Sequence, residues 1–340
     1  METVFQFVNY GESFEPAPGT LVLDVGMATV PGVVDHHHPE AEAECTASLI
    51  AKYPRLVLGH IRPDEPLTIV THKLPDFDSL SSIFIALKLV ETGSMNPSLY
   101  KLAAYARIVD SASLPKQIDL SGTPYAILRA LFSGSKKSEE DINRDRIEEG
   151  LKFMRFLYAR AEAGFEILEN RSLFFGIDRY ERAMRKVEAD YFRYLEDVRR
   201  GLKVRADLPT TDRKGKKSLD GLIVSNPKSF LLKEWARRDQ DHAAATEGFG
   251  FTVISFGDSR YILGVDPERR VNLRGLGAIL NQKEAEKSLA EGRAFPRPWY
   301  EGNCPFFDYR IIDAPRDGTA LSRTAILDAL AGFGNLRRIG

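Results

Sequence analysis

TLVLDVGMATVPGVVDHHHPE, residues 20–40, is the stretch on which the reading of the fold turns. TLVL and GVV are short aliphatic runs, and each stops at an acidic residue, Asp24 or Asp35. Such runs suit buried parallel strands whose C-terminal ends deliver polar side chains to one rim of a sheet. LTIVT, residues 67–71, repeats the pattern and leads straight into His72. Helices are expected at 45–52 and 79–92, the second with Leu80, Ile83, Phe84, Leu87 and Leu89 spaced to lie on a sheet. Strands alternating with helices make this region α/β with a parallel sheet.

The full length, 340 residues, suits two domains rather than one small core. Residues 138–204 are rich in Glu, Arg, Lys, Leu and Ala and read as two or three helices interrupted near Gly176, with their charges on solvated faces. PTTDRKGKKSLD, residues 209–220, reads as a polar, basic loop; strands are expected after it at 222–224, 251–256 and 261–265, and a helix at 275–291. The expected layout is therefore a parallel-sheet catalytic domain (1–136), a helical connector (137–205) and a smaller α/β substrate domain (206–340).

Lys and Arg number 47 against 48 Asp and Glu, a formal net charge of -1, so bulk charge does not draw this chain to nucleic acid or anionic lipid. Cys45 and Cys304 lie outside any C-x-x-C spacing, which argues against a disulfide scaffold, a zinc ribbon or a redox motif. A reducing, cytoplasmic setting is the expectation. METVFQFVNYGESFEP lacks the basic start of a signal peptide, and no apolar run approaches the roughly 18 residues that span a bilayer, so no membrane partner is expected.

Chemistry concentrates in two clusters. VVDHHHPE places Asp35, His36, His37 and His38 after one strand, and THKLPDFDS places His72, Asp76 and Asp78 after another, in H-x-x-x-D-x-D spacing. Mixed carboxylate and imidazole donors suit manganese or magnesium, and two such ions about 3.5–4 Å apart can activate water and neutralise a phosphoryl transition state. Asp24 is the candidate bridge between two ions, because adjacent parallel strands would bring its strand end beside DHHH. Asp110, at the end of AAYARIVD, is the candidate for the last ligand. The alternatives are an exposed polar turn for the histidines and a helix cap or turn role for Asp24 and Asp110. A zinc hydrolase of the H-x-H-x-D-H kind fits poorly, since HHHPEAE lacks the aspartate and the later histidine.

DHHHPE and HKLPDFDS together resemble the DHH phosphoesterases, over roughly residues 20–115. The resemblance implies metal ligation by His72, Asp76, Asp78, Asp24, His36 and Asp110, with His37 facing the substrate phosphate. Asp35 would orient a neighbouring histidine, and His38 joins His37 and Asp35 as a candidate catalytic group. Two departures stand out. The H-x-x-x-D-x-D signature precedes DHH in the family and follows it here, as if the order were circularly permuted. The family's GGGH-type segment has only NLRGLG, residues 272–277, as a counterpart.

The resemblance further implies two divalent ions, manganese before magnesium, and a phosphodiester or phosphoanhydride substrate such as a nucleotide, oligonucleotide or polyphosphate. A homodimer is an option. Arg274, Arg297 and Arg316 are the candidate substrate-binding residues, and PRPWYEGN could either stack a base with Trp299 and Tyr300 or pack as a Trp-anchored loop. The rival readings are a non-catalytic nucleotide or phosphate sensor on the same fold, and a single-strand nuclease, which would need a contiguous basic groove.

Overall fold

The computed structural model describes residues 2–61, 65–134, 137–243, 247–294 and 297–339. Among them the chain is mixed α/β, with ten α-helices and two mixed sheets, one of them mostly parallel. It divides into two compact units, Met1–Val187 with Cys304–Phe306, and Glu188–Asn303 with Phe307–Gly340.

The first unit is built on a five-stranded sheet of β1 (Thr3–Val8), β2 (Thr20–Leu23), β3 (Thr29–Val30), β4 (Val33–Val34) and β5 (Leu67–His72) in the order β1-β5-β2-β4-β3. β1, β5, β2 and β4 are parallel neighbours and β3 closes the far edge antiparallel. Val22, Val25, Val33 and Val70 pack into one buried cluster, so β-branched side chains hold the three central strands in register. With β2, β4 and β5 parallel, the residues that end them, Asp24, Asp35 and His72, come out on the same rim.

Helices α1 (Thr46–Lys52), α2 (Arg55–Leu58), α3 (Phe77–Thr92), α4 (Pro97–Asp110), α5 (Pro124–Phe132) and α6 (Glu139–Glu162) complete most of this unit. α3 starts at Asp76, whose carboxylate accepts from the backbone N–H groups of Asp78 and Ser79, and ends at Gly93 in the left-handed conformation that a glycine tolerates best. α6 packs on α3 and α4, and a Cβ at Gly150 would lie 2.5 Å from Leu80 Cδ1, so this stretch of the expected connector belongs to the first unit's core. α7 (Asp178–Arg200) contains the division between the two units.

The second unit holds β6 (Leu202–Pro209), β7 (Lys216–Ser225), α8 (Leu232–Arg238), β8 (Phe251–Phe256), β9 (Arg260–Val265), α9 (Leu276–Ala290), β10 (Ile311–Asp313), α10 (Arg323–Gly334) and β11 (Arg337–Arg338). Its sheet runs β10-β9-β8-β7-β6-β11, with only β7 and β8 parallel. Ile223 and Val253 belong to one core cluster while Leu222, Val224 and Ile254 belong to another, as period-two alternation on a sheet covered on both faces requires.

One sequence expectation is corrected here, and one open alternative is decided. The basic loop at 209–220 is a hairpin: β7 already starts at Lys216 and pairs antiparallel with β6, Pro209 opposite Lys216. Its exposed lysines hid a strand that the ladder of backbone hydrogen bonds stabilises. Of the two roles open to Trp299, base stacking or anchoring the loop, the second holds: the ring is buried and Nε1 donates to Glu284.

Asp190 on α7 is fully buried and accepts from Ser229 Oγ, the N–H groups of Phe230 and Leu231, and Trp235 Nε1. Asp190→Ala strands those donors and is expected to cost about 3 kcal/mol or more, read as a lower urea midpoint with unchanged slope.

Candidate metal centre

Asp24, Asp35, His36, His72 and Asp78 are all buried, at 0–2% relative exposure. Asp24 leaves β2 with φ 63°, a left-handed backbone that an aspartate accepts at some cost and that the surrounding sheet enforces through its N–H to Val34 O. Its carboxylate faces two ways. Oδ1 lies 3.5 Å from His36 Nδ1 and accepts from Thr46 Oγ1, while Oδ2 lies 3.2 Å from His72 Nε2 and accepts from Ser79 Oγ.

Three groups of metal-capable atoms result, each with its ligand atoms within 4.8 Å of one another: Asp24 with His72 and Asp76; His36 with Asp78 and Asp110; and Asp24 with Asp35, His36 and His37. All six residues read from the sequence as metal ligands are thus brought together. Asp110 reaches the cluster as the last residue of α4, with Oδ2 3.2 Å from His36 Nε2, and that carboxylate oxygen is buried and accepts no hydrogen bond among the described residues. The donor set fits a hard or borderline divalent cation.

Charge makes the same point. Among the described residues no lysine or arginine forms an ion pair with Asp24, Asp35, Asp76, Asp78 or Asp110; their only ionic partners are imidazoles. Five carboxylates clustered with imidazoles as their only ion-pair partners are costly unless protons or cations join them. Protons are held accordingly. Burial drives the Asp78 carboxyl well up, with repulsion from Asp24 and Asp110 adding to it. Burial opposes a charged His37, but the Asp35 carboxylate overrides it and pushes the imidazole up to about 10. His72 is raised despite its burial by Asp24 and Asp76, and Asp24 is held below the ordinary carboxylate range by His72, His37 and His36.

The ring nitrogens are also assigned. His72 Nδ1 lies 2.8 Å from Lys73 O, an atom that can only accept, so Nδ1 carries a proton, and Nε2, 3.2 Å from Asp24 Oδ2, is the nitrogen turned into the cluster. His37 Nδ1 pairs with Asp35 Oδ1 at 2.7 Å, the orienting role expected of Asp35. Asp78 has a second duty: its oxygens accept from Thr46 N at 2.8 Å and Ala47 N at 3.0 Å, capping α1 from another element. Asp78→Ala is therefore expected to weaken metal binding and also to destabilise the metal-free fold by about 1–2 kcal/mol through the lost cap, a difference thermal melts with chelator present will show.

His38 lies outside the three groups, its Nε2 3.1 Å from Thr29 Oγ1, so among the three histidines only His36 and His37 join the cluster. Arg274, Arg297 and Arg316 belong to the second unit; Arg274 stacks 4.0 Å from the Tyr309 ring centroid and pairs with Asp308 at 3.4 Å, and Arg297 is exposed. Three participants went unread in the sequence. Thr46 and Ser79 hydrogen-bond the Asp24 carboxylate, and Tyr10 stacks on His72 at 4.1 Å between ring centroids. Ser79 directly follows Asp78 in HKLPDFDS and could have been read with it; Tyr10 follows a strand that the sequence did not signal.

Fold and site define a mixed α/β chain with buried Asp/His clusters able to hold a metal ion. No family model, curated protein or solved structure compared with the chain matches it.

Proposed function

We propose that the chain is a metal-dependent phosphoesterase of the DHH type, which uses two divalent cations, manganese first and magnesium second, to hydrolyse a phosphodiester or phosphoanhydride in a small phosphorylated substrate. One observation carries the reading: the two oxygens of Asp24 face different histidines, 3.5 Å from His36 and 3.2 Å from His72, which is the disposition of a carboxylate shared by two ions. His72 and Asp76 would hold one ion with Asp24 Oδ2; His36, Asp78 and Asp110 would hold the other, with Asp24 Oδ1 on its His36 side. The reversed order of the two motifs does not bear on this, because ligands need meet only in space.

Bound there, the ions supply a water of lowered pKa and positive charge for a phosphoryl group. His37, kept protonated by Asp35, donates to a phosphoryl oxygen and matches the charge that develops on it. Asp35 keeps that imidazole oriented. A cytoplasmic setting accords with two free, buried cysteines, and among the described residues no helix is long and apolar enough to cross a membrane.

The test is turnover of bis-p-nitrophenyl phosphate, pyrophosphate, short oligonucleotides and a cyclic dinucleotide with Mn²⁺, abolished by chelator and by His72→Ala in a variant that stays folded. Tight nucleotide binding with no product from any of them would favour the sensor, and the phosphoesterase reading would fall. Preference for the oligonucleotides over the rest would single out the nuclease.

A further inference from the structure

Tyr10 lies two residues beyond β1 and is 44% exposed, whereas the histidine it covers is 1% exposed. Its ring stacks on His72 with an interplanar angle of 24° and meets His37 edge-on at 5.7 Å. Its hydroxyl lies 2.9 Å from His72 Nε2. The same Nε2 also faces Asp24 Oδ2 at 3.2 Å and Ser79 Oγ, so the phenol shares this nitrogen with two groups of the cluster. The same nitrogen is the one that a cation in the Asp24/His72/Asp76 group would need. The hydroxyl and the cation therefore compete for one nitrogen, and the ring, held by stacking at the outer side of the cluster, keeps the hydroxyl close by whichever of them wins.

We propose that Tyr10 is a phosphate-binding residue of this centre: its hydroxyl rests on His72 Nε2 while no cation is bound, and once displaced it donates to a phosphoryl oxygen of the substrate. The inference rests on the phosphoesterase reading and adds to it a residue that neither motif contains. Tyr10 acts as a neutral donor at the exposed side of the cluster, opposite in kind to His37, which brings a charge. A neutral donor favours the phosphoryl group without trapping the anionic product, and the exposed position suits a group that substrate meets on entry.

Tyr10→Phe keeps the ring and its stacking and removes only the hydroxyl. Mn²⁺ titration followed by electron paramagnetic resonance should show the variant binding the ions at least as tightly as the unmodified protein, because the hydroxyl beside that nitrogen is gone. The inhibition constant for inorganic phosphate, or its dissociation constant on the Mn²⁺-loaded protein if turnover is absent, should rise about tenfold, the size of one hydrogen bond to a charged acceptor. KM for bis-p-nitrophenyl phosphate should rise with it more than kcat falls. Weaker Mn²⁺ binding in Tyr10→Phe would make the phenol a support for the metal and overturn the proposal, as would phosphate affinity that does not change. Failure of the unmodified protein to bind Mn²⁺ would overturn this proposal and the parent reading together, while an unaltered Tyr10→Phe in an active enzyme overturns this one alone.

Discussion

Asp24→Asn is expected to reduce Mn²⁺-dependent hydrolysis by about 10³-fold or more, at least the loss that follows removal of a single preorganised charge-stabilising group. Asparagine matches the carboxylate in shape; its oxygen can accept from one of the hydroxyls of Thr46 and Ser79 and its NH2 can donate to the other, so the buried surroundings stay filled. What it lacks is the negative charge and the second anionic oxygen. The His72/Asp76 group loses a ligand and the His36 side loses the carboxylate oxygen that faces it, so the loss should exceed that of Asp76→Asn, whose carboxylate serves one group and is 49% exposed. Steady-state rates beside Mn²⁺ stoichiometry check this directly. Asp24→Asn that keeps both ions and most of its rate would remove the shared carboxylate from the argument.

Mn²⁺ should raise the thermal midpoint, by the equivalent of about 2.7 kcal/mol per site when the ion is at a hundred times its dissociation constant, and chelator should reverse the effect. The increment should grow with pH. His37 and His72 have raised values in the metal-free fold, so the stability they contribute is complete below the ordinary imidazole value of 6.5 and drains away as pH rises, for His37 through about 10. Metal binding needs His72 unprotonated at Nε2 and Asp78 ionised, and both groups hold protons longer than usual. Raising the pH therefore weakens the metal-free protein while easing the entry of the ions. Melts at pH 6 and pH 9, with Mn²⁺ and with chelator, measure the gap; a gap that narrows toward high pH contradicts the cluster as a cation site.

The fold was legible where burial wrote itself into composition. TLVL, GVV and LTIVT announced β2, β4 and β5 because strands covered on both faces read as near-continuous apolar, β-branched runs. β1 escaped notice because it is an edge strand with alternating exposed positions such as Val4 and Gln6, and the first half of β7, ahead of the expected 222–224, because its residues begin with exposed lysines and serine. In both cases pairing with a neighbour, not local pattern, makes the strand.

The six candidate ligands were legible because Asp and His at strand ends, and in H-x-x-x-D-x-D spacing, are few and conspicuous. Their division into groups was not. That Asp24 faces His36 with one oxygen and His72 with the other follows from the order β5-β2-β4, which sets its strand between the strands bearing those two histidines. Asp78 capping α1, Asp110 arriving from α4, His38 standing apart and Tyr10 lying on His72 each join residues far apart in sequence or depend on a turn. The amino-acid sequence alone determined which donors exist and which strands carry them, because hydrophobicity and donor type are properties of single residues. Only the tertiary structure decided which donors share a cation, because a distance of 3 Å between side chains from different elements is a property of packing.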